Sequence, residues 1–226
     1  MSSRIDIGPL QVGDRAPNVV LDAITRDGKI AIDDFRGRKP VLVGLFRGLH
    51  CPFCRRHIAA QSQFDKVLRE KGVECLTVVN TPAERARLYF RYHPMPDLLA
   101  AADPERASYR AFGLPNLEFV EGKTEWPRKV GMDDAMQMVI EVPGELPEPM
   151  NPSVASGILN EKDGYEMTEA DEQMAATGTG QLFGQFLLDR EGVIRWTFTE
   201  VPEGGRRMFA RAKPDELISA ASQLAR

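Results

Sequence analysis

The chain predicts an α/β fold with a mixed central sheet flanked by helices, on three observations. The short apolar runs 41–46 and 73–79 read as buried strands. Between them, the segment 54–71 carries Ile58, Gln61, Phe64, Val67 and Leu68 near helical spacing. Strand, long helix, strand makes a right-handed parallel crossover. Two turn signals, Asp27-Gly28 early and Asp189-Arg190-Glu191-Gly192 late, add hairpins near the two ends.

The elements follow in order. Asn18–Leu21 and Lys29–Ile32 form the first hairpin, and Val41–Phe46 the first buried strand. The helix runs from Cys54 to about Lys71 and leads into the strand Val73–Val79. Thr81-Pro82-Ala83-Glu84 reads as a helix start, with threonine at the cap, proline at the first helical position and glutamate at the third. A short strand over Leu98–Ala101 and a helix from Pro104 to about Phe112 complete the first half. Strands at Gln185–Leu188 and Val193–Phe198 and a helix over Pro214–Leu224 end the chain.

The stretch 116–180 breaks this pattern. It has 14 acidic residues against 4 basic, a charge of -10 that leaves +6 on the remaining chain. It also holds six of the nine methionines and five prolines, three of them between Pro143 and Pro149. It is expected to be an insert within a single domain spanning 1–226. A loop of this length is either a solvated, partly structured excursion or a lid, a dimer arm or a substrate-binding surface. Flexible methionines suit an adaptable surface, and a charge opposite to that of the remaining chain suits a homodimer contact.

Composition sets the location. A polar start without an apolar run and only three cysteines fit a reducing, cytoplasmic setting. No run is long enough to cross a bilayer, and a net charge of -4 offers nothing to nucleic acid or an anionic membrane.

Chemistry concentrates at Cys51-Pro52-Phe53-Cys54, where the apolar strand gives way to the helix. Two thiols at that spacing can close a small disulfide ring, and a helix N-terminus favours thiolate over thiol. Arg47, Arg55 and Arg56 add positive charge, with at least one of them expected on an exposed helix face. His50 adjoins the first cysteine as a group for proton transfer. His57 and His93 read as structural or solvent-facing, and Cys75, in an apolar strand, as buried and inert.

The ordered motifs Gly13-Asp14-Arg15-Ala16-Pro17, Asp27-Gly28-Lys29, Asp34-Phe35-Arg36-Gly37 and Arg47 to Cys54 resemble the thioredoxin-like superfamily. More narrowly, the chain resembles its peroxiredoxin-like branch, the alkyl hydroperoxide reductase and thiol-specific antioxidant proteins. Asp103-Pro104, Tyr109, Phe112-Gly113 and Phe186 to Arg195 fit the same pattern. The resemblance covers about residues 10–115 and 181–225 and omits the insert. It implies a thioredoxin-like fold with an N-terminal hairpin and the long insert before a C-terminal hairpin. It also implies thiol-dependent redox chemistry without a cofactor, on a peroxide or disulfide substrate with a thiol reductant.

The sequence departs from the family at telling places. With Cys54 at the reactive position, Arg47 stands where the family has proline and Cys51 where it has threonine. Gly184-Gln185 stands where the family supplies an arginine, and the cis-proline of thioredoxins is also missing there. Two redox readings therefore stand. In disulfide exchange Cys51 attacks and Cys54 resolves. In peroxide reduction either cysteine becomes the sulfenic acid and the other closes the disulfide, with Arg47 lying over the pocket in place of the family arginine. Two further readings are zinc held by Cys51, Cys54 and His57, and a non-catalytic binding module working through the insert.

Overall fold

The computed structural model describes residues 8–178, 180–205 and 208–224. Strand β1 (Val20–Ala23) pairs antiparallel with β2 (Lys29–Ala31) through the expected Asp27-Gly28 turn, where Gly28 takes φ 84°. Strand β3 (Val41–Phe46) is followed by helix α1 (Pro52–Glu70) and by β4 (Glu74–Val79), which lies parallel to β3. Helix α2 (Ala83–Tyr92), strand β5 (Leu99–Ala102) and helix α3 (Ala107–Ala111) follow. Strands β6 (Glu118–Val120) and β7 (Lys129–Gly131) and helices α4 (Met132–Gln137), α5 (Pro152–Lys162) and α6 (Glu169–Gly178) occupy the insert. Strands β8 (Gly184–Leu188) and β9 (Ile194–Thr199) and helix α7 (Pro214–Leu224) close the fold. The seven-stranded sheet has the order β2-β1-β5-β4-β3-β8-β9, and β6 and β7 form a separate parallel pair.

All six residues of β3 are buried, as a strand covered on both faces must be. Alternation sends Val41, Val43 and Leu45 to one core, where they meet Leu76, Val78 and Phe186. Phe46 points the other way, toward Phe53, Cys54 and Ile58 of α1. The predicted crossover is thus present, with α1 laid across the face that carries the cysteines.

Two local expectations are corrected. The α2 cap is Pro82 rather than Thr81, because the Thr81 hydroxyl accepts the Leu49 N–H at 2.9 Å and so braces the loop before α1. Helix α3 begins at Ala107 instead of Pro104, because the Asp103 carboxylate accepts the N–H groups of Ala107 and Ser108.

Cys75 is buried as expected, at the end of β4 remote from the dithiol, paired in register with Leu42. Burial raises its thiol pKa, and the neighbouring Asp65 raises it further. Asp65 is 2% exposed, and neither carboxylate oxygen has a well-formed hydrogen bond. Burial pushes its pKa up from 3.8 to about 6, with the Cys75 thiol and Arg69 opposing the shift. The folded state therefore holds a proton that the unfolded chain releases. The Asp65 contribution to stability is fully present below the unfolded pKa and is lost as pH rises through about 6, by roughly 3 kcal/mol in all. Urea unfolding across this range will show that Asp65→Asn removes that loss; an unchanged pH slope would refute it.

Candidate active site

The site grows out of the end of β3. Arg47, the residue after the strand, is 4% exposed and aims its guanidinium at a wholly buried carboxylate, Glu200, just beyond β9. Arg47 Nη2 donates to Glu200 Oε2 at 2.5 Å and Nη1 to Oε1 at 3.3 Å, while Nε donates to the Gln181 carbonyl at 2.6 Å. The same carboxylate accepts the backbone N–H groups of Phe183 at 2.8 Å and Phe209 at 2.6 Å. One buried ion pair thus ties together β3, the entry to β8 and the segment after β9. Satisfying all these partners is what makes such a pair tolerable in a core.

Gly48 then lets the chain turn tightly. A Cβ there would come within 2.5 Å of the His50 ring and 2.6 Å of the Asn80 carbonyl. The Cys51 N–H donates to the Gly48 carbonyl at 3.0 Å, and Cys51 caps α1 with Pro52 at the first helical position. No acidic residue stands in the first turn of α1, so nothing offsets the positive end of the helix.

The two thiols differ sharply. All three cysteines are unbonded; Cys51 is 9% exposed and Cys54 is fully buried. A hydrogen bond from the Cys54 side chain, and after it the Arg47 guanidinium, together lower the Cys51 pKa to about 6 against the opposing effect of burial. Burial raises Cys54 well above an ordinary thiol, and its hydrogen bond to Cys51 adds to this. Of the two thiols, Cys51 is the one whose surroundings favour ionisation. Burial also drops His50 to about 4, with Arg47 and Arg55 lowering it further, so its imidazole is uncharged.

The other arginines have a different task. Neither Arg55, which is 5% exposed, nor Arg56 lies on an open helix face, contrary to expectation. Both reach the insert. Arg55 pairs with Asp163 at 2.5 Å, and Arg56 pairs with Asp163 at 2.9 Å and with Glu145 at 2.5 Å. Arg85 of α2 binds Asp171, and the Tyr165 ring lies between the Arg55 and Arg85 guanidiniums at 4.2 and 5.2 Å. Three of the insert's fourteen acidic residues, Glu145, Asp163 and Asp171, thus pair with arginines of α1 and α2. Ala155 and Leu159 of α5 are wholly buried in the same core as the two cysteines.

This docking encloses Cys51. A cleft of about 690 Å³ opens onto it, with Arg47, His50, Phe53 and Phe209 on one side. Met132, Met136, Met138 and Val154 of the insert form much of the other. Removing the latch should loosen this wall. Asp163→Ala is expected to raise the iodoacetamide alkylation rate of Cys51 about three- to tenfold, the loss of roughly 1 kcal/mol of closure. A rate equal to wild type would show that the insert does not restrict access.

The residues singled out in the sequence fall in different places. Arg47, His50 and Cys51 line one cleft, and Cys54 lies directly behind Cys51. His57 instead lies under the Phe209 carbonyl at 3.2 Å, and no group of three His, Cys, Asp or Glu is gathered for a metal among the described residues. His93 is exposed and stacks on Tyr89. Gln185, at the family arginine position, donates to Gln61 at 2.7 Å rather than facing the thiols. Glu200 and Phe209 gave no signal in sequence: Glu200 lies 153 positions from Arg47, beyond any local pattern.

A buried dithiol at the head of a helix, beside the central strand of such a sheet, defines a thioredoxin-fold thiol protein. The chain belongs to the Redoxin family, whose profile matches residues 11–135. It is 25% identical over 139 residues to the 1-Cys peroxiredoxin PER1 of Hordeum vulgare and equally so to that of Triticum aestivum. Each match takes in 57% of this chain and 63% of the relative. In structure it is similar to a reduced Plasmodium vivax 2-Cys peroxiredoxin, with a TM-score of 0.55 at 13% identity, covering 94% of this chain and 81% of that one. A peroxiredoxin-like protein from Aquifex aeolicus gives a TM-score of 0.54 at 14% identity, covering 96% and 88%. The peroxiredoxin-like fold expected from the sequence is therefore present. No described helix is long and apolar enough to cross a membrane.

Proposed function

We propose that the protein is a thiol peroxidase in which Cys51 is the peroxide-reacting residue and Cys54 resolves it. The observation that carries this reading is the placement of Cys51, which opens into an apolar cleft with the buried Cys54 behind it, where the Cys54 hydrogen bond and Arg47 favour its thiolate. The Cys51 thiolate attacks the terminal, hydrogen-bearing oxygen of a hydroperoxide, the O–O bond breaks, sulfur keeps that OH as the sulfenic acid, and the alkoxide leaves and takes up a proton from solvent. His50, uncharged and lining the cleft, donates a hydrogen bond to that departing oxygen. Cys54 then condenses with the Cys51 sulfenic acid, releasing water and forming the disulfide, which an external thiol reduces. The name of the curated relatives, 1-Cys peroxiredoxin, supports peroxide chemistry on one cysteine but not the resolving role of Cys54, which rests on its position behind Cys51.

Disulfide exchange uses the same asymmetric pair and is the second reading. What favours the peroxide is access: Cys51 is 9% exposed and walled by the insert, which suits a small molecule better than a folded protein disulfide. Intact mass after rapid mixing with one equivalent of hydrogen peroxide tests the choice. Oxidation of Cys51 far faster than a free cysteine supports a peroxidase. Slow oxidation alongside fast reaction with a small disulfide moves the assignment to exchange.

The cleft also sets a substrate preference. Burying even part of an aromatic hydroperoxide's apolar surface, at about 25 cal/mol per Å², outweighs the advantage of a smaller substrate. Cumene hydroperoxide should show kcat/KM at least about tenfold above hydrogen peroxide, and Val154→Asp should erase most of that ratio. Equal values in the wild type would mean that the cleft does not hold the organic group.

A further inference from the structure

The strip 208–214 walls two cavities. Met208 and Phe209 face the redox cleft, whereas Arg211 to Pro214 face a second cavity of about 390 Å³ between α1, β8 and α7. Three polar side chains line it although they are nearly inaccessible: His57 at 7%, Gln61 at 5% and Gln185 at 6% exposed. Buried polar groups are costly unless they are used. Gln185 Nε2 donates to Gln61 Oε1 and Gln61 Nε2 to Thr77 at 3.3 Å. His57 Nε2 lies 3.2 Å from the Phe209 carbonyl, which can only accept. Nε2 therefore carries the proton, and Nδ1, which has no partner, is an acceptor.

The charge of the lining is one-sided. Arg211 and Lys213 are exposed cations, and no carboxylate side chain lines the cavity. Lys213 is 3.4 Å from Glu216, whereas Arg211 makes no ion pair among the described residues. A single guanidinium with no ion pair among the described residues suits a singly charged, planar anion better than a dianion. Ala60, Phe64 and Leu217 supply an apolar wall for the rest of the molecule.

We propose that this cavity is a second ligand site, taking a small organic carboxylate that carries a hydrogen-bond donor. The carboxylate meets Arg211, and the donor meets the unpartnered Nδ1 of His57. The site adjoins the redox centre through one bond, because the Phe209 carbonyl held by His57 belongs to the residue whose ring packs on Phe53 at 4.6 Å. It requires no assumption about what Cys51 reacts with.

Isothermal titration of the reduced wild type with N-acetylglycine, which has both features, tests this against N-acetylglycinamide, which lacks the charge. The acid is expected to bind at least tenfold tighter than the amide, and Arg211→Ala to weaken the acid at least tenfold while leaving the amide unchanged. Absence of binding at millimolar concentrations would overturn the proposal, as would equal binding of acid and amide or tighter binding of inorganic phosphate. A further arm blocks the redox cleft by alkylating Cys51. If alkylation abolishes binding and Arg211→Ala does not, the molecule occupies the redox cleft and the second site does not exist. Because the readout is binding and not turnover, its failure is separable from failure of the peroxidase reading.

Discussion

Cys51→Ser is expected to lower peroxide turnover by about 10³-fold or more, since a serine hydroxyl is not ionised at neutral pH and no other accessible thiol stands in the cleft. Cys54 does not substitute for it: the residue is fully buried and its pKa is raised by that burial. The companion variants separate nucleophile from resolver. Cys54→Ser keeps a hydrogen-bond donor beside Cys51, so it should consume one equivalent of peroxide rapidly and then stop as a sulfenic acid. Cys54→Ala removes the donor that most lowers the Cys51 pKa, so its reaction should be slower even in the first turnover. The pH profile gives the same answer by another route. Wild-type alkylation should rise through a midpoint near about 6, and that of Cys54→Ala should move toward the ordinary thiol range. Rapid oxidation of Cys51→Ser at Cys54 would reverse the assignment of the two cysteines.

The fold was legible where its signals are local. The β3 run, the helix behind the cysteines and the hairpin at Gly28 are set by alternation, helical spacing and a positive-φ turn, each readable within a few residues. The dithiol was legible for the same reason, since a CxxC at a strand-to-helix junction carries its own context. Long-range pairing was not. Arg47 looks like one of three arginines near the thiols, yet Glu200 draws it inward while Asp163 and Glu145 hold Arg55 and Arg56 against the insert. The insert shows this most clearly. Its charge and its methionines were visible, but composition does not say which surface they meet. The structure puts Glu145, Asp163 and Asp171 against α1 and α2 of the same chain and several of the methionines along the cleft at Cys51.

The Arg47–Glu200 pair allows stability and reactivity to be pulled apart. Arg47→Met leaves the Glu200 carboxylate with zero exposure and no cation, and such orphaned charges cost about 3–5 kcal/mol. Denaturant unfolding should register that loss. Arg47→Met combined with Glu200→Leu removes both charges, and an apolar replacement of a buried pair is often nearly neutral, so most of the stability should return. The chemistry should not return with it. Arg47 lowers the Cys51 pKa more than Glu200 raises it, so deleting both leaves a net rise and moves the alkylation midpoint above about 6. A restored fold with a sluggish thiol would identify Arg47 as a residue that acts on Cys51 through its field. A restored fold with the wild-type midpoint would assign the activation to the Cys54 hydrogen bond and the α1 N-terminus alone, and reduce the ion pair to a structural tie between β3, β8 and the Phe209 segment.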